Sequence, residues 1–327
     1  MGVGQYFLHN GGWRFLVMGN LSVARHGLGV DISLIIPVHT GIDNFESLFC
    51  ALLGLRLNNY RAECIFVADK CKQDIVEMMK HRCRLKKPGQ WVNWQVLESD
   101  FGNSDQARNL GIQYAQGKVT AFLDDDCRPF PGWLVAGLSR IKNHRAVTGP
   151  VVHPENIWGK LVAVMDFGEF QAIKAGNMNN APGCNLFVSS EILTRYPVVS
   201  GYSYGGDRLL AHWISSGSKY IRYHPDVAVF HHPPLNISSI WNREIRYGAI
   251  AFAARKIDPS LPWSSLLNFG FAAVFLLAFG RFFMDLKRLW YEDSSIRYKL
   301  MIPCLLFPFR IAYLKGLVQA YRKCRIP

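Results

Sequence analysis

The sequence predicts an α/β protein built on a mostly parallel sheet covered by helices. Three observations predict it. Short apolar runs alternate with segments of helical spacing, the runs close on proline or aspartate, and the chain can fill a full-sized core. It has 327 residues, 50% hydrophobic and 19% charged, a balance that excludes wholesale disorder.

The elements follow in order. Asp31–Pro37 (DISLIIP) is an apolar run ended by proline, a buried strand. Asn44–Leu57 spaces Phe45, Leu48, Leu52 and Leu55 as one helix face. Ala62–Asp69 (AECIFVAD) reads as a strand, Gln73–Arg84 as a helix, Trp91–Leu97 as a strand, Asp105–Ala115 as a helix and Val119–Leu123 as a strand. Such alternation implies parallel strands with helical crossovers. Ligands then sit beyond the carboxyl ends of the strands. The polar residues there are Pro37-Val38-His39-Thr40, Asp69 and Asp124-Asp125-Asp126.

The net charge is +13, from 37 basic and 24 acidic residues. That excess seeks polyanions: nucleic acid, nucleotide phosphates or anionic lipid. No nucleic-acid-binding pattern accompanies it, so nucleic acid is not an expected partner. The cysteines Cys50, Cys64, Cys71, Cys83, Cys127, Cys184, Cys304 and Cys324 form no CxxC pair. They read as reduced thiols of a cytosolic protein. The early apolar run Phe15–Met18, interrupted by Arg14, is too short for a secretory signal.

Mean hydropathy is +0.05, low for a polytopic membrane protein and high for a freely soluble enzyme. The apolar excess lies at the carboxyl end. Leu261–Gly280 carries no charge, Leu300–Phe309 is apolar, and residues 281–327 hold ten Lys/Arg against three acids. A boundary is expected near residue 258, dividing the chain into an extension (1–30), an α/β domain (31–258) and a membrane-associating helical region (259–327). Leu261–Gly280 reads as an interfacial or re-entrant helix with Lys/Arg on lipid headgroups, as a true span, or as a buried core helix. Pro262, Ser264, Ser265, Asn268 and Gly270 count against a span. The expected site of action is the cytoplasmic side of an anionic membrane surface, docked through residues 261–327.

VTAFLDDDCRPFPGW runs from a strand directly into three aspartates. Adjacent carboxylates repel unless a cation neutralises them. Mg²⁺ or Mn²⁺, hard cations that take carboxylate and phosphate oxygens, would do so in a metal-bound diphosphate; a solvated acidic turn is the plain alternative. The preceding segment, Gly102–Gly111, opens with residues suited to a helix N-terminus, which favours anions. Arg108 sits one turn in, within reach of an aspartate, a base edge or a phosphate.

The order strand-Pro37, strand-Asp69, Ala107-Arg108-Asn109-x-Gly111, Leu123-Asp-Asp-Asp126 and Gly206-Asp207 resembles the family 2 glycosyltransferases of the GT-A fold, over roughly residues 31–235. The resemblance implies a Rossmann-like α/β/α sandwich that binds a nucleotide sugar, with UDP as the expected nucleotide. It implies that Asp69 binds the base with help from Arg108, and that Pro37 brings backbone close to the nucleoside. Asp126 would hold the metal, Asp124 and Asp125 would contact ribose or orient the ligand, and Gly183 would line the sugar pocket. Asp207 matches the catalytic base, although Gly206 replaces the usual glutamate beside it. His231 or His232 matches a histidine that contacts metal or diphosphate in relatives. Leu209-Leu-Ala-His-Trp213 stands where processive synthases carry QxxRW, which argues against a polymerase.

These implications add up to an inverting transfer to a membrane-proximal or lipid-linked glycan acceptor. The metal stabilises the leaving diphosphate and one base deprotonates the acceptor hydroxyl. Asp207, after two glycines, also reads as a helix N-cap. The loop Gly176–Gly183 reads as a donor cover or an ordinary surface loop. A nucleotidylyltransferase would need a Gly-rich basic loop where this chain has Val38-His-Thr-Gly-Ile42. A catalytically dead, membrane-docked scaffold has only Gly206 in its favour.

Overall fold

Strand β1 (Gly4–His9) pairs with β2 (Gly12–Val17). The alternating series follows: β3 (Ile32–Val38), α1 (Ile42–Leu53), β4 (Ala62–Asp69), α2 (Gln73–Leu85), β5 (Trp91–Ser99), α3 (Ser104–Tyr114) and β6 (Val119–Leu123). Next come β7 (Cys127–Pro129), α4 (Trp133–Ile141), β8 (Ala146–Thr148), β9 (Val151–Val152), α5 (Ile157–Phe167), β10 (Gly176–Met178), β11 (Asn185–Ser189), α6 (Ser190–Arg195), α7 (Gly206–Ile214), β12 (Ile221–Tyr223) and β13 (Val229–His231). The chain ends in α8 (Ile237–Ile257), a 3-10 turn over Ser264–Phe269, α9 (Ala272–Tyr291) and α10 (Ile296–Lys323). This computed structural model describes residues 4–9, 12–17, 29–39, 42–85, 91–171, 174–195, 205–216, 220–233, 235–291 and 295–324. Much of the expected extension at 1–30 lies outside them.

The chain divides into two compact units. The first comprises residues 1–6, 15–151 and 172–231, the second residues 7–14, 152–171 and 232–327. The boundary expected near 258 therefore falls at 231/232, and α5 and α8 belong with the carboxyl-terminal helices.

In the first unit the eight-stranded sheet has the order β10-β12-β8-β11-β6-β3-β4-β5. Strands β5, β4, β3 and β6 run parallel, whereas β11 is antiparallel to both of its neighbours. This is the mostly parallel α/β sheet the sequence predicts. Every residue of β3 and β4 is buried, so these strands read as continuous apolar runs rather than alternating ones. Strand order reverses at β3, with β4 on one side and β6 on the other. That reversal opens a crevice at the carboxyl ends of β3 and β6. Pairing of β3 with β6 stops at Ile35–Phe122, while pairing with β4 continues to Val38–Ala68. Pro37 is buried just past the last β6 pair, where its missing N–H leaves that ladder intact. Helix α3 lies flush on β3: a Cβ at Gly111 would come within 2.5 Å of Ile35 Cγ2.

The second unit packs α5, α8, α9 and α10 around two apolar clusters. One joins Leu161, Met165, Ile240, Leu289, Ile302 and Phe309, and the other joins Phe252, Val274, Leu277, Tyr313 and Leu317. Helices α8 and α10 cross in backbone contact, since a Cβ at Gly248 would fall on the Tyr313 carbonyl and one at Gly316 on that of Ile245.

Two expectations for this region change. Leu261–Gly280 is not one helix: the 3-10 turn and Gly270, at φ +59°, break it, and α9 begins at Ala272. Among the described residues, α10 is the helix long and apolar enough to cross a membrane by length and composition. Arg281, Arg288 and Arg310 do not reach outward. Arg310 pairs with Glu244 and, at 2.7 Å, with Asp285. Arg281 and Arg288 lie 3.4 and 3.5 Å from the same Asp285, and Arg288 also meets Glu169 at 3.2 Å. Arg243 pairs with Asp166 at 3.1 Å. Asp285, one turn from Arg281 and Arg288 on α9, and the sequence-distant Asp166, Glu169 and Glu244 supply the counterions, because a buried arginine must be paired.

Removing one member of this network strands the others. Arg310→Met is expected to destabilise the protein by about 3–5 kcal/mol. The double change Arg310→Met with Glu244→Met should cost less than the single one, as measured by chemical denaturation.

Candidate active site

The site grows from the carboxyl ends of β3, β4 and β6. After β4, the Asp69 carboxylate accepts from Ser99 Oγ (3.0 Å), Phe101 N (2.7 Å), Gly102 N (3.1 Å) and Asn103 N (2.8 Å). Asp69 thus shapes the loop leading into α3. Gly102 takes φ +60° there, the left-handed region that glycine enters at least cost. Asn103 then caps the helix, accepting from Asp105 N at 2.9 Å and Gln106 N at 3.3 Å.

Arg108, on the second turn of α3, is 5% exposed. Its Nη1 donates to Asp105 Oδ1 at 2.9 Å and its Nη2 to Asp124 Oδ1 at 2.6 Å. Burial opposes its charge, but Asp124, Asp105 and Asp207 outweigh burial and raise its pKa above the ordinary arginine range. Asp105 has no exposed surface. Burial pushes its carboxyl up to about 7, with Arg108 pulling the other way and Asp207 adding to the rise.

The aspartate triplet diverges. Asp124 faces Arg108. Asp125, 8% exposed, turns back to β3 and accepts the His39 N–H at 2.7 Å, while His39 Nδ1 lies 2.8 Å from the Asp69 carbonyl. Asp126 Oδ2 lies 3.2 Å from His231 Nε2, at the end of β13. Arg128 braces the turn, donating to the carbonyls of Asp125 and Cys127 at 2.9 Å and to Asn44 O on α1 at 2.9 Å.

Asp207 enters from α7. The helix starts at Gly205, with φ +102° and no side-chain cap, so Asp207 sits inside the first turn rather than at the N-cap. Its Oδ2 accepts the Gly183 N–H at 2.8 Å. A Cβ on Gly183 would lie 2.7 Å from that oxygen and 3.1 Å from Arg108 Nη2, so only glycine leaves these groups adjacent. The neighbouring Asn185 is a strut: it accepts from Trp133 Nε1 at 2.8 Å and donates to Val227 O at 2.8 Å.

The structure therefore brings Asp124, Arg108, Asp207 and Gly183 together, with Asp126 and His231 beside Asp124. Asp69, Asp125 and Pro37 form the wall behind them. The sequence alone assigns Asp105 no role, and it marks His39 only as part of the polar stretch Pro37–Thr40 at the end of β3. The only signal for Asp105 was an acid in the first turn of a helix.

Asp126, Cys127 and His231 bring their ligating atoms within 4.8 Å of one another. Burial pushes the Cys127 thiol well above its usual range, and Cys127 Sγ is 3.6 Å from Asp126 Oδ1 as a donor. A protonated thiol is not a ligand. What remains is one carboxylate and one imidazole, a donor set that fits a hard divalent ion with positions left for phosphate oxygen and water.

A doubly wound sheet with this carboxylate centre at its reversal point is a GT-A fold. Residues 33–195, about half of the chain, match the family model described as Glycosyl transferase family 2, and the chain belongs to the family 2 glycosyltransferases. It is 31% identical over 111 residues to Glycosyltransferase AglE of Haloferax volcanii, a stretch covering 34% of this chain and 35% of that relative. The fold is shared with a mannosyltransferase, PcManGT from Pyrobaculum calidifontis, solved with GDP-Man and Mn²⁺ (TM-score 0.59, 15% identity, 93% of this chain and 89% of that one). It is shared also with GalNAc-T7 solved with UDP, GalNAc and Mn²⁺ (TM-score 0.50, 14% identity, 68% and 48%) and with residues 1–349 of TarS from S. aureus (TM-score 0.50, 13% identity, 90% and 91%).

The rise in the Asp105 pKa has a sign. Its stabilising contribution is complete below the ordinary carboxylate range and lost as pH rises through about 7. The wild-type advantage in Tm over Asp105→Asn should therefore shrink between about pH 4 and 7, as read by scanning calorimetry.

Proposed function

We propose that the chain transfers a sugar from a nucleotide-sugar donor, UDP-linked, to a hydroxyl of a membrane-proximal or lipid-linked glycan, with inversion at the anomeric carbon. The observation that carries this reading is the adjacency of two differently built carboxylate sites. One, Asp126 with His231, fits a divalent ion. The other, Asp207, is held by Gly183 N and has lone pairs left to take a proton.

Asp126 and His231 would hold Mg²⁺ or Mn²⁺, which supplies Lewis-acid stabilisation to the departing diphosphate. The chain's own residues do the rest. Arg108 and Asp124 orient the donor beside that ion. The Asp69 loop and the backbone around Pro37 form the nucleoside wall, so that the base meets a loop whose shape Asp69 dictates. Gly183, lacking a side chain, leaves room for the sugar. Asp207 accepts the proton of the acceptor hydroxyl as its oxygen attacks. A single base, with the neighbouring carboxylates Asp105 and Asp124 both engaged by Arg108, favours one displacement and hence inversion.

The second unit supports a membrane setting. Phe275, Phe279 and Phe283 recur at four-residue spacing on α9 and are 42%, 62% and 61% exposed. Leu300, Phe307 and Ile311 are exposed on α10, and Lys287, Arg297, Lys315 and Arg322 are exposed on the same two helices. An aromatic and aliphatic face of this size with basic neighbours suits an anionic bilayer surface. Cysteines held as thiols rather than disulfides fit the cytoplasmic side.

Asp126→Ala and Asp207→Asn should each lower sugar transfer by about 10²–10⁴-fold with unchanged melting curves. A rate equal to wild type in either variant removes that residue from the chemistry, and NMR of the product's anomeric proton tests inversion. The pair Phe279→Asp with Phe283→Asp should weaken co-sedimentation with phosphatidylglycerol vesicles by about tenfold or more. Equal sedimentation would dismiss this face as the docking surface.

A further inference from the structure

We infer that Asp105 is a positioning residue for the transfer, the strut that fixes Asp207 against Arg108 and Asp124. This rests on the role proposed above for Asp207.

The geometry is specific. Asp105 stands in the first turn of α3, and its two oxygens serve different elements. Oδ1 accepts from Arg108 Nη1 at 2.9 Å on its own helix. Oδ2 accepts the backbone N–H of Gly206 at 2.8 Å, a hundred and one positions along the chain. Gly206 opens α7, whose cap residue, Gly205, has no side chain to offer. The first turn of a helix leaves backbone N–H groups without intrahelical partners. Asp105 satisfies one of them from a neighbouring helix, and it does so one residue before Asp207. The Gly183 N–H holds the same turn from the other side through Asp207 Oδ2. Asp207 thus has its backbone tied through Asp105 and its carboxylate tied through Gly183.

The electrostatics point the same way. Arg108 faces Asp124 and Asp207 as well as Asp105. A guanidinium beside a carboxylate competes with other donors for its oxygen atoms. Asp105 draws one edge of the guanidinium, Nη1, away from the reaction centre and leaves Nη2 on Asp124. The charged and titratable groups that interact with Asp207 are Arg108 and Asp105 from α3, Asp124 from the end of β6, and the Cys184 thiol beside Gly183. Asp105 bonds to both helices, to Arg108 on α3 and to Gly206 on α7.

A structural role alone would require an acceptor at Gly206 N but no negative charge. Asp105→Asn makes that distinction, because its amide keeps an oxygen and its size while losing the charge. The assay is release of nucleoside diphosphate from UDP-sugars and GDP-sugars by the full chain with Mn²⁺, with water as acceptor. Donor binding is followed separately by calorimetry with UDP or GDP and Mn²⁺. The expected result for Asp105→Asn is a kcat reduced by about a hundredfold, a donor KM within about threefold of wild type, and an acidic limb of the pH–kcat profile moved to lower pH. Should Asp105→Asn fail to fold, Asp105→Ser is read by the same three measures. A kcat within twofold of wild type, or kcat and donor affinity falling together with no movement of the pH limb, would overturn the positioning role. Wild-type protein that turns over no nucleotide sugar would instead remove the proposed function, and this inference with it.

Discussion

A buried guanidinium shared between two aspartates organises the first unit. Arg108 leaves water almost completely, a state that is tolerable only with well-placed counterions. Asp105 and Asp124 provide them from opposite directions, one within α3 and one from the end of β6. Meeting that requirement fixes the distance between helix and strand. It also places Asp207 next to Gly183, and it lets Asp126 turn toward His231. Without the arginine, Asp105, Asp124 and Asp207 would repel one another in a partly dry crevice.

The sheet explains why this assembly lies where it does. Strand β3 pairs with β4 to its last residue but loses β6 three residues earlier. The strands part, and the chain beyond β6 turns across the gap with three carboxylates. His39 closes the back of the gap by donating its N–H to Asp125. Asp69 closes the side by gathering three backbone N–H groups of the next loop. The residues nearest the crevice thus fall into two groups. Asp69, Asp125, Asn185 and Asp207 hold backbone, whereas Asp124 and Asp126 meet the side chains of Arg108 and His231.

What was legible in the sequence follows from the physics of each residue. Strands β4 and β6 were read with the bounds the structure shows, because full burial forces an apolar run and a polar residue marks its end. The triplet and Arg108 stood out because unneutralised adjacent carboxylates have little structural use, and the structure joins Arg108 to Asp124. Asp105 was not, since an acid in a helix's first turn is ordinary and its partner, Gly206, is far away in sequence. Asp207 looked like an N-cap because two glycines precede it; the positive φ of Gly205 moves the cap back and puts Asp207 one position inside the first turn. The inward turn of Arg281, Arg288 and Arg310 was hidden for the same reason as Asp105. Asp285 stands one turn from Arg281 and Arg288 on α9, but Glu169 reaches Arg288, and Glu244 and Asp285 reach Arg310, only in the folded chain. The division of the chain at residue 231 was invisible because α8 has no compositional break at its start.

The most direct test of the account is calorimetric titration of UDP and GDP into the protein with and without Mn²⁺, comparing wild type with Asp126→Ala. The account predicts nucleoside diphosphate binding that strengthens by an order of magnitude or more when Mn²⁺ is present, and loss of that enhancement in the variant. Equal affinity in all four conditions, or an enhancement that survives the loss of Asp126, would contradict it.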